Sequence, residues 1–343
     1  MNRIQGTGPG GLIRPEQYGD LVQENSPAVT WADFQKWAMM LGDGWSFRGH
    51  AVADWRLQAT LERATTQLVL AFVGPVAHFS REKLKPETHE KELLLEFQRG
   101  AHQYITATPA DHELVDWLAL MQHHGAPTRL LDWTRSPYVA LHFALEQPQP
   151  KERSAIWAID QQWLDKESSE AMRKHNPQCP DRSDFKEMCG YINSVLLKED
   201  NPAVVIPANP MRMNDRMTAQ QGHFLCNLSH GESFDISLFR MLQNSTTTER
   251  PVRKLVLEQD GRIAMLKELR RMNIHSASLF PGLDGFARSL GIELECRIEK
   301  DKDNWRRTFK EQKNRPSPIR AEGGKPDNPQ PADKTGPRET KRR

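Results

Sequence analysis

The run Met121-Gln-His-His-Gly-Ala-Pro-Thr-Arg-Leu-Leu-Asp-Trp-Thr-Arg-Ser-Pro-Tyr-Val-Ala-Leu-His-Phe-Ala144 decides how the chain is organised. Gly125 suits the end of a helix because glycine tolerates a positive φ, and Pro127 prevents that helix from continuing. Residues 128–134 then predict a short strand. Ser136-Pro137 is typical of an N-cap followed by the first position of a new helix. The run therefore predicts a helix, a turn, a strand and a second helix in succession.

Polar and charged side chains are concentrated in this run. They are His123, His124, Thr128, Arg129, Asp132, Thr134 and Arg135. A connection that only joined two elements would not need so many. A strand that ends at a helix N-terminus, with two arginines close by, is a favourable place for an anionic ligand, because the helix start carries partial positive charge.

The composition indicates a globular chain with balanced charge. Its 343 residues fit one large domain or two ordinary ones. With 47 basic and 45 acidic residues the net charge is +2, which argues against a protein that coats nucleic acid. The four cysteines form no Cys-x-x-Cys pair, so we expect reduced thiols in a cytoplasmic protein. Neither a signal peptide nor an apolar run of about 20 residues is visible, so we expect no membrane association.

The element pattern predicts an α+β fold. Short apolar runs alternate irregularly with helical patterns, which favours small, twisted, mostly antiparallel sheets with flanking helices. We expect a flexible arm over residues 1–29 and a single domain over 30–300, with a polar insertion near 161–200. The basic, Pro-rich composition of residues 301–343 predicts a disordered tail. Alternation of apolar and charged residues over 292–298 predicts a final strand. Neither a Gly-x-Gly-x-x-Gly motif nor a P-loop is present.

A second segment of interest is Trp45-Ser-Phe-Arg-Gly-His50, which predicts a short strand. Arg48 would share one face of it with Ser46 and His50. Gly49 would let a ligand or another backbone approach closely. Taken alone, the segment favours the simpler interpretation of Arg48 as a surface arginine near a turn.

Four segments together carry a resemblance to a known family. They are Phe47-Arg48-Gly49, the run from His123 to Thr134, the run from Gln220 to Phe224, and the run from Leu279 to Gly285. In this order they resemble the FRG domain family, which is named for its Phe/Tyr-Arg-Gly motif. The resemblance extends over roughly residues 31–298. The Pro-Thr-Arg-Leu-Leu-Asp-Trp-Thr run is highly specific, whereas the Phe-Arg-Gly triplet alone is not.

The layout is also similar, more distantly, to that of the ADP-ribosyltransferases, which hold NAD+ at a split sheet. In that fold an early aromatic-Arg-Gly strand holds the dinucleotide, a middle strand with small hydroxyl residues leads into a helix, and a late strand supplies an acid. Phe47-Arg48-Gly49 matches the first part. Thr134 and Ser136, followed by the helix, match the second. The third part, the acid on the late strand, corresponds to Gln220 or Gln221, so the usual glutamate is missing.

The resemblance implies an NAD+ site without a metal, and it assigns residues to two roles. The catalytic residues would be Arg48, Asp132, Gln220 and His124. The residues that contact the dinucleotide would be Arg48, Gly49, Thr128, Arg129, Trp133, Thr134, Ser136 and Gln221.

Asp132 is the residue on which the chemistry depends. Cleavage of the nicotinamide bond builds positive charge on the ribose carbon, and a nearby carboxylate stabilises it. Asp132 is the nearest carboxylate in the central run. Two structural roles are the alternatives for Asp132: an ion pair with Arg129, or an N-cap on the helix that begins at Pro137. His123 and His124 diverge by about 100° on a helix, so we do not expect them to share a metal.

The resemblance implies an NAD+-dependent ADP-ribosyltransferase-like effector of the toxin or antiviral defence type, acting on an unidentified macromolecular acceptor (protein or nucleic acid). The missing glutamate favours an alternative, a non-catalytic module that senses a nucleotide or another ligand on the same fold. A further alternative is a nuclease effector that uses Arg129, Arg135 and the basic tail. Near-neutral charge and the lack of a carboxylate-rich metal motif count against the nuclease.

Overall fold

The computed structural model describes residues 22–73, 86–147, 149 and 152–313. Its contacts divide the chain into one compact unit that ends at Cys296 and a second that begins at Arg297. The described residues form an α+β fold, as the sequence predicts, built on a seven-stranded mixed sheet. None of the helices in the described ranges combines the length and apolar character needed to cross a bilayer.

The strands are short. They are β1 (Gln23–Ala28), β2 (Trp45–His50), β3 (Leu131–Thr134), β4 (Ser154–Asp160), β5 (Val205–Pro207), β6 (Gly222–Asn227) and β7 (Val252–Leu257).

The helices differ widely in length. They are α1 (Trp31–Leu41), α2 (Thr60–Val73), α3 (Pro86–Ala101), α4 (Leu114–His123), α5 (Pro137–Leu145), α6 (Gln161–His175), α7 (Phe185–Val195), α8 (Asp215–Ala219), α9 (Phe234–Asn244), α10 (Arg262–Arg271), α11 (Ser276–Leu279) and α12 (Leu283–Lys313).

The strand order is β1-β7-β4-β2-β3-β6-β5, and every neighbouring pair is antiparallel except β1 with β7. Strand β2 pairs with β4 along its whole length, but it pairs with β3 at one position, where Phe47 lies opposite Thr134. Strand β3 in turn pairs with β6 along its whole length. The sheet therefore consists of a four-stranded half and a three-stranded half that meet at a single residue pair. We call the line between β2 and β3 the seam.

Apolar side chains cover both faces of the sheet. Phe47 and Ile156 pack on one face against helices α1 and α5. Trp133, Trp157 and Leu225 pack on the other, against helices that include α4, α6 and α9. Because successive strand residues point to opposite faces, Arg48 lies on the face opposite Phe47.

Some predicted elements differ from the structure. The final strand predicted over 292–298 is wrong, because these residues belong to helix α12, which continues to Lys313 in the predicted tail. The side chains explain the error: Ile292 is 9% exposed, whereas Leu294 is 58% exposed, so the alternating apolar residues do not share one buried face.

Other differences concern the ends of the domain and its insertion. Strand β1 lies within the predicted N-terminal arm and pairs in parallel with β7. The polar region 161–200 contains helices α6 and α7, each begun by an aspartate N-cap, Asp160 and Asp184. Residues 1–21 of the predicted arm and 314–343 of the predicted tail lie outside the described residues.

Candidate functional site

Gly49 fixes strand β2 against helix α5. A Cβ atom added there would overlap the Ala140 carbonyl oxygen and lie 2.6 Å from the Ala144 nitrogen. The close approach that the sequence predicts at Gly49 is therefore made by another backbone. The neighbouring residue, Arg48, lies where β2 borders the seam.

The Arg48 guanidinium spans the seam. Its Nη1 donates to the Asp132 main-chain oxygen at 2.5 Å and lies 4.0 Å from the Asp132 carboxylate. Its Nε donates to Nε2 of His50 at 3.2 Å. Burial lowers the pKa of Arg48 to about 10, against the opposing effect of the Asp132 carboxylate and with a smaller contribution from the Arg63 charge. Arg48 therefore remains a cation at neutral pH.

His50 fits this arrangement as a neutral base. It is buried, and burial together with the Arg48 charge holds its pKa well below the ordinary value. A neutral imidazole can accept the Arg48 hydrogen bond through its unprotonated nitrogen, which an imidazolium cannot do. His50 thus orients the guanidinium toward β3.

Asp132 provides the carboxylate on the other side of the seam. Its side chain is 57% exposed, so the carboxylate is accessible from solvent. It lines a small cavity of about 30 Å³ together with His123, Arg216 and Gln220. Burial lowers the pKa of the Arg216 guanidinium, and the Asp132 charge opposes that shift, so the two groups interact electrostatically. Neither predicted alternative for Asp132 applies: Arg129 pairs with Glu90, and Ser136 caps helix α5.

A buried polar contact joins the two halves of the sheet near Arg48. Ser46 Oγ lies 2.9 Å from His223 Nε2, and both side chains are buried. Burial lowers the pKa of His223 to about 4, with a further contribution from Arg135. The imidazole is therefore neutral, and it shares a hydrogen bond with the Ser46 hydroxyl.

Two tryptophans lie close to this contact. Trp157 on β4 is directly opposite Arg48 in the ladder, and Trp133 on β3 is opposite His223. Both indole Nε1 atoms are buried and have no hydrogen-bond partner within the described ranges. Buried donors without a partner are unusual in proteins.

The Gln220-Gln221 segment packs against β3 rather than opening toward the seam. The Gln220 amide donates from Nε2 to the Leu279 carbonyl oxygen at 3.0 Å, and the Thr134 hydroxyl donates to the Gln220 carbonyl oxygen at 2.7 Å. Gln221 is exposed with a φ of 49°, and its carbonyl oxygen accepts from the Arg135 N–H. These bonds bring the third and fourth family segments next to the central run. They also occupy the Gln220 side chain.

Thr128 and Arg129 belong to a separate buried network. The Thr128 hydroxyl donates to the Gln122 side-chain oxygen, and its N–H donates to Thr60 Oγ1 at 2.9 Å. Arg129 holds Glu90 with two bonds from Nε, at 2.9 and 2.8 Å, and both side chains are buried. These contacts support a structural role for both residues.

The two histidines at the end of α4 face different surroundings. His123 lines the small cavity beside Asp132, whereas His124 lines an apolar cavity of about 640 Å³ with Phe97 and Pro127. His124 is thus separated from the seam, and His123 is the histidine beside the candidate site. Ser136 is occupied as the N-cap of α5, where it accepts from the Val139 N–H at 3.3 Å.

The structure adds residues that the predicted site lacked. His50, Trp157, Arg216 and His223 join Arg48, Asp132 and Trp133 at the seam. His50 had a detectable signal, since it shares a strand face with Arg48. The others come from distant segments, and no local pattern in the sequence marks them. Among the described residues, no group of three or more His, Cys, Asp or Glu side chains is placed to hold a metal ion.

Comparison with known proteins finds a family model that matches part of the chain. Residues 43–153 match the FRG domain, so the chain contains an FRG domain, as its motifs indicate. The match covers Arg48, Gly49 and Asp132 but ends before Gln220. No curated protein matches the chain. No solved structure matches it either.

Proposed function

We propose that this FRG-domain protein binds NAD+ at the seam and cleaves its nicotinamide–ribose bond, transferring ADP-ribose to an acceptor or to water. The observation that carries the proposal is the geometry of Arg48 and Asp132. A cation and an exposed carboxylate face each other where two strands of one sheet stop pairing. Strands β2 and β3 pair at one position only, as in the split sheet that the resemblance implies.

Arg48 would hold the pyrophosphate of the dinucleotide. Its hydrogen bonds to His50 and Asp132 use two of the five guanidinium N–H donors, and the rest of the described chain supplies no further hydrogen bond to it. A planar fork of donors matches phosphate oxygens in pairs. The Arg63 charge close to Arg48 adds to the attraction for an anion. The unpartnered indole N–H groups of Trp133 and Trp157 are further donors next to this position.

Asp132 would stabilise the charge that develops during cleavage. The bond between the ribose C1′ carbon and the nicotinamide nitrogen breaks, and its electron pair leaves with nicotinamide. Positive charge then spreads over C1′ and the ring oxygen, and a carboxylate nearby lowers the energy of that state. The acceptor oxygen or nitrogen forms the new bond to C1′ and releases a proton. Asp132 carries this role alone, because Gln220 supplies an amide and that amide is bonded to Leu279.

The same observation on Gln220 favours a second candidate, a module that binds the nucleotide without cleaving it. Both candidates require Arg48 for binding, and they differ in turnover. The effector role in toxicity or antiviral defence belongs to the first candidate, since NAD+ depletion or target modification would be its mechanism.

Titration calorimetry with NAD+ tests the site that both candidates share. Arg48→Lys keeps the charge but loses the fork, so we expect NAD+ affinity to fall about tenfold or more, which corresponds to about 1.4 kcal/mol. Arg153→Lys, at an exposed arginine of the same domain, is the matched control and should bind as wild type does. Equal affinity in wild type and Arg48→Lys would place the ligand elsewhere. Binding that depends on Arg48 but never releases nicotinamide would select the non-catalytic module.

A further inference from the structure

We propose that the protein has a second ligand site, on the opposite face of the sheet from Arg48, for a small molecule that combines a planar ring with one anionic group such as a phosphate monoester. The site is a cavity of about 530 Å³ beside the start of β2 and the N-terminus of α5. Its chemistry is set by Arg135, Gln161, Trp45, Tyr138, Asp43 and Asp165. The volume lies within the range of small-molecule sites.

The anion would bind at Arg135. This side chain is exposed, and no described residue forms an ion pair or a side-chain hydrogen bond with it. Its charge nevertheless acts on the cavity, because Arg135 opposes the rise that burial causes in the pKa of Asp165. Helix α5, nine residues long, begins two residues later and directs the positive end of its dipole to the same place.

A buried donor supports the assignment independently of the helix. Gln161 lines the cavity, and its Nε2 atom is buried with no hydrogen-bond partner in the described part of the chain. The Gln161 main-chain N–H is fixed on the Gly44 carbonyl oxygen at 3.0 Å, so the side chain starts from a rigid position. A buried amide donor without an acceptor is costly, and a ligand oxygen would remove that cost.

The ring would lie against the aromatic wall. Trp45 and Tyr138 line the cavity, and neither side chain is fully buried. Arg253 covers one side of the Trp45 ring at 5.2 Å from its centroid, which holds the indole in place. Tyr138 is held in a similar way by Phe34 at 5.5 Å.

The carboxylates limit which ligands fit. Asp43 and Asp165 line the same cavity. Asp165 is paired with Arg182 at 3.1 Å, so part of its charge is already balanced. The remaining negative charge disfavours large polyanions, which leaves a ligand with a single anionic group near Arg135 as the best match.

The cavity is separate from the proposed NAD+ site. Phe47 lines the cavity and Arg48 follows it on the same strand, so the two residues point to opposite faces. Ligand binding at the cavity therefore does not depend on Arg48. Ligand binding in the cavity and NAD+ binding at the seam can therefore be tested independently.

Titration with phenyl phosphate, followed by calorimetry and by protein-observed NMR shifts, tests the second site. We expect phenyl phosphate to bind wild type saturably. Inorganic phosphate, which has only the anionic group, and phenol, which has only the ring, should each bind more weakly. Arg135→Gln should weaken phenyl phosphate binding about tenfold or more, and Gln161→Leu should weaken it to a smaller extent. Arg271→Gln, at an exposed arginine of α10, is the matched control and should leave it unchanged.

Three results would overturn the second site. These are no saturable binding of phenyl phosphate, equal binding by wild type and Arg135→Gln, and loss of binding in Arg48→Ala. The last result would move the ligand to the seam. Nicotinamide release by wild type has no bearing on the outcome, so a failure of the enzymatic proposal remains distinguishable from a failure of this one.

Discussion

Gly49 has a structural role that a single substitution exposes. Gly49→Ala places a methyl group against the backbone of helix α5, where it overlaps the Ala140 carbonyl oxygen. Because backbone cannot rotate away as a side chain can, we expect the free energy of unfolding to fall by about 1–3 kcal/mol, the usual cost of overpacking. Urea denaturation followed by circular dichroism measures the change.

Gly190→Ala is the matched control for that substitution. Gly190 lies inside helix α7, and a Cβ atom added there meets nothing within 4 Å. Replacing it should stabilise the protein by about 0.5–1 kcal/mol, since alanine is the better helix residue. Equal effects of the two substitutions would contradict the close approach of β2 and α5.

Buried histidines make stability depend on pH, and His50, whose pKa burial holds well below its ordinary value, is one of them together with His142 and His223. Burial lowers the pKa of His142 and of His223 to about 4 each, from an ordinary value of 6.5. The unfolded chain therefore binds protons between pH 6.5 and pH 4 that the folded chain does not. Their contribution to stability is fully present above pH 6.5 and is lost as pH falls toward 4, by about 1.4 kcal/mol per pH unit for each histidine.

Urea denaturation between pH 7.5 and 4.5 measures that slope. His223→Gln removes one of these titrating groups, while the glutamine amide can still form a hydrogen bond with Ser46. The slope should become shallower by about 1.4 kcal/mol per pH unit. An unchanged slope would mean that His223 is protonated in the folded protein.

The sequence predicts the position and role of some single residues better than those of others. Arg48, Gly49 and Asp132 stand in recognisable motifs, and the structure brings them together at the seam. Arg129 stands in the most specific motif and was assigned to the ligand, yet it binds Glu90 from helix α3. The sequence holds no local signal for a partner 39 residues away. An arginine that forms a buried ion pair and an arginine that binds a ligand give the same sequence motif, so the motif alone could not assign the role of Arg129.

Helix α12 provides the sharpest test among the secondary-structure elements. In a helix Ile292 packs on the core while Leu294 points outward, and their exposures of 9% and 58% agree with that geometry. Ile292→Ala should therefore lower the free energy of unfolding by about 2 kcal/mol or more. Leu294→Ala should change it by no more than about 0.5 kcal/mol. Similar losses from both would indicate the strand that the alternating pattern predicts.

The elements that the sequence missed depend on distant partners. Strand β1 has little apolar content of its own, and it forms because β7 supplies a parallel edge more than 200 residues further along the chain. Helix α12 is fixed to α10 by two ion pairs, Arg262 with Glu295 and Arg270 with Glu293. Local periodicity detects neither kind of contact.

For the whole unit that ends at Cys296, the division of the sheet is the organising feature. Helix α5 packs on β2 through Gly49, and Thr134 and Arg135 are bonded to the turn before β6. On the face that carries Arg48, one apolar core packs against strands of both halves of the sheet. The seam between the halves is crossed by one strand pair, by the Arg48 guanidinium and by the Ser46–His223 contact. The element pattern predicts the α+β fold, whereas the division of the sheet at a single residue pair could not be read from the chain.

Nicotinamide release from NAD+ is the measurement that tests the central claim most directly. The purified protein is incubated with NAD+ and cell extract as the source of acceptor, and nicotinamide is quantified for wild type, Arg48→Ala, Asp132→Ala and Arg153→Ala. We expect release by wild type and Arg153→Ala, and a loss of about 100-fold or more in Arg48→Ala and Asp132→Ala, the scale typical of removing one electrostatic contact to the transition state. Release that is absent in wild type, or undiminished in both seam variants, would contradict the account.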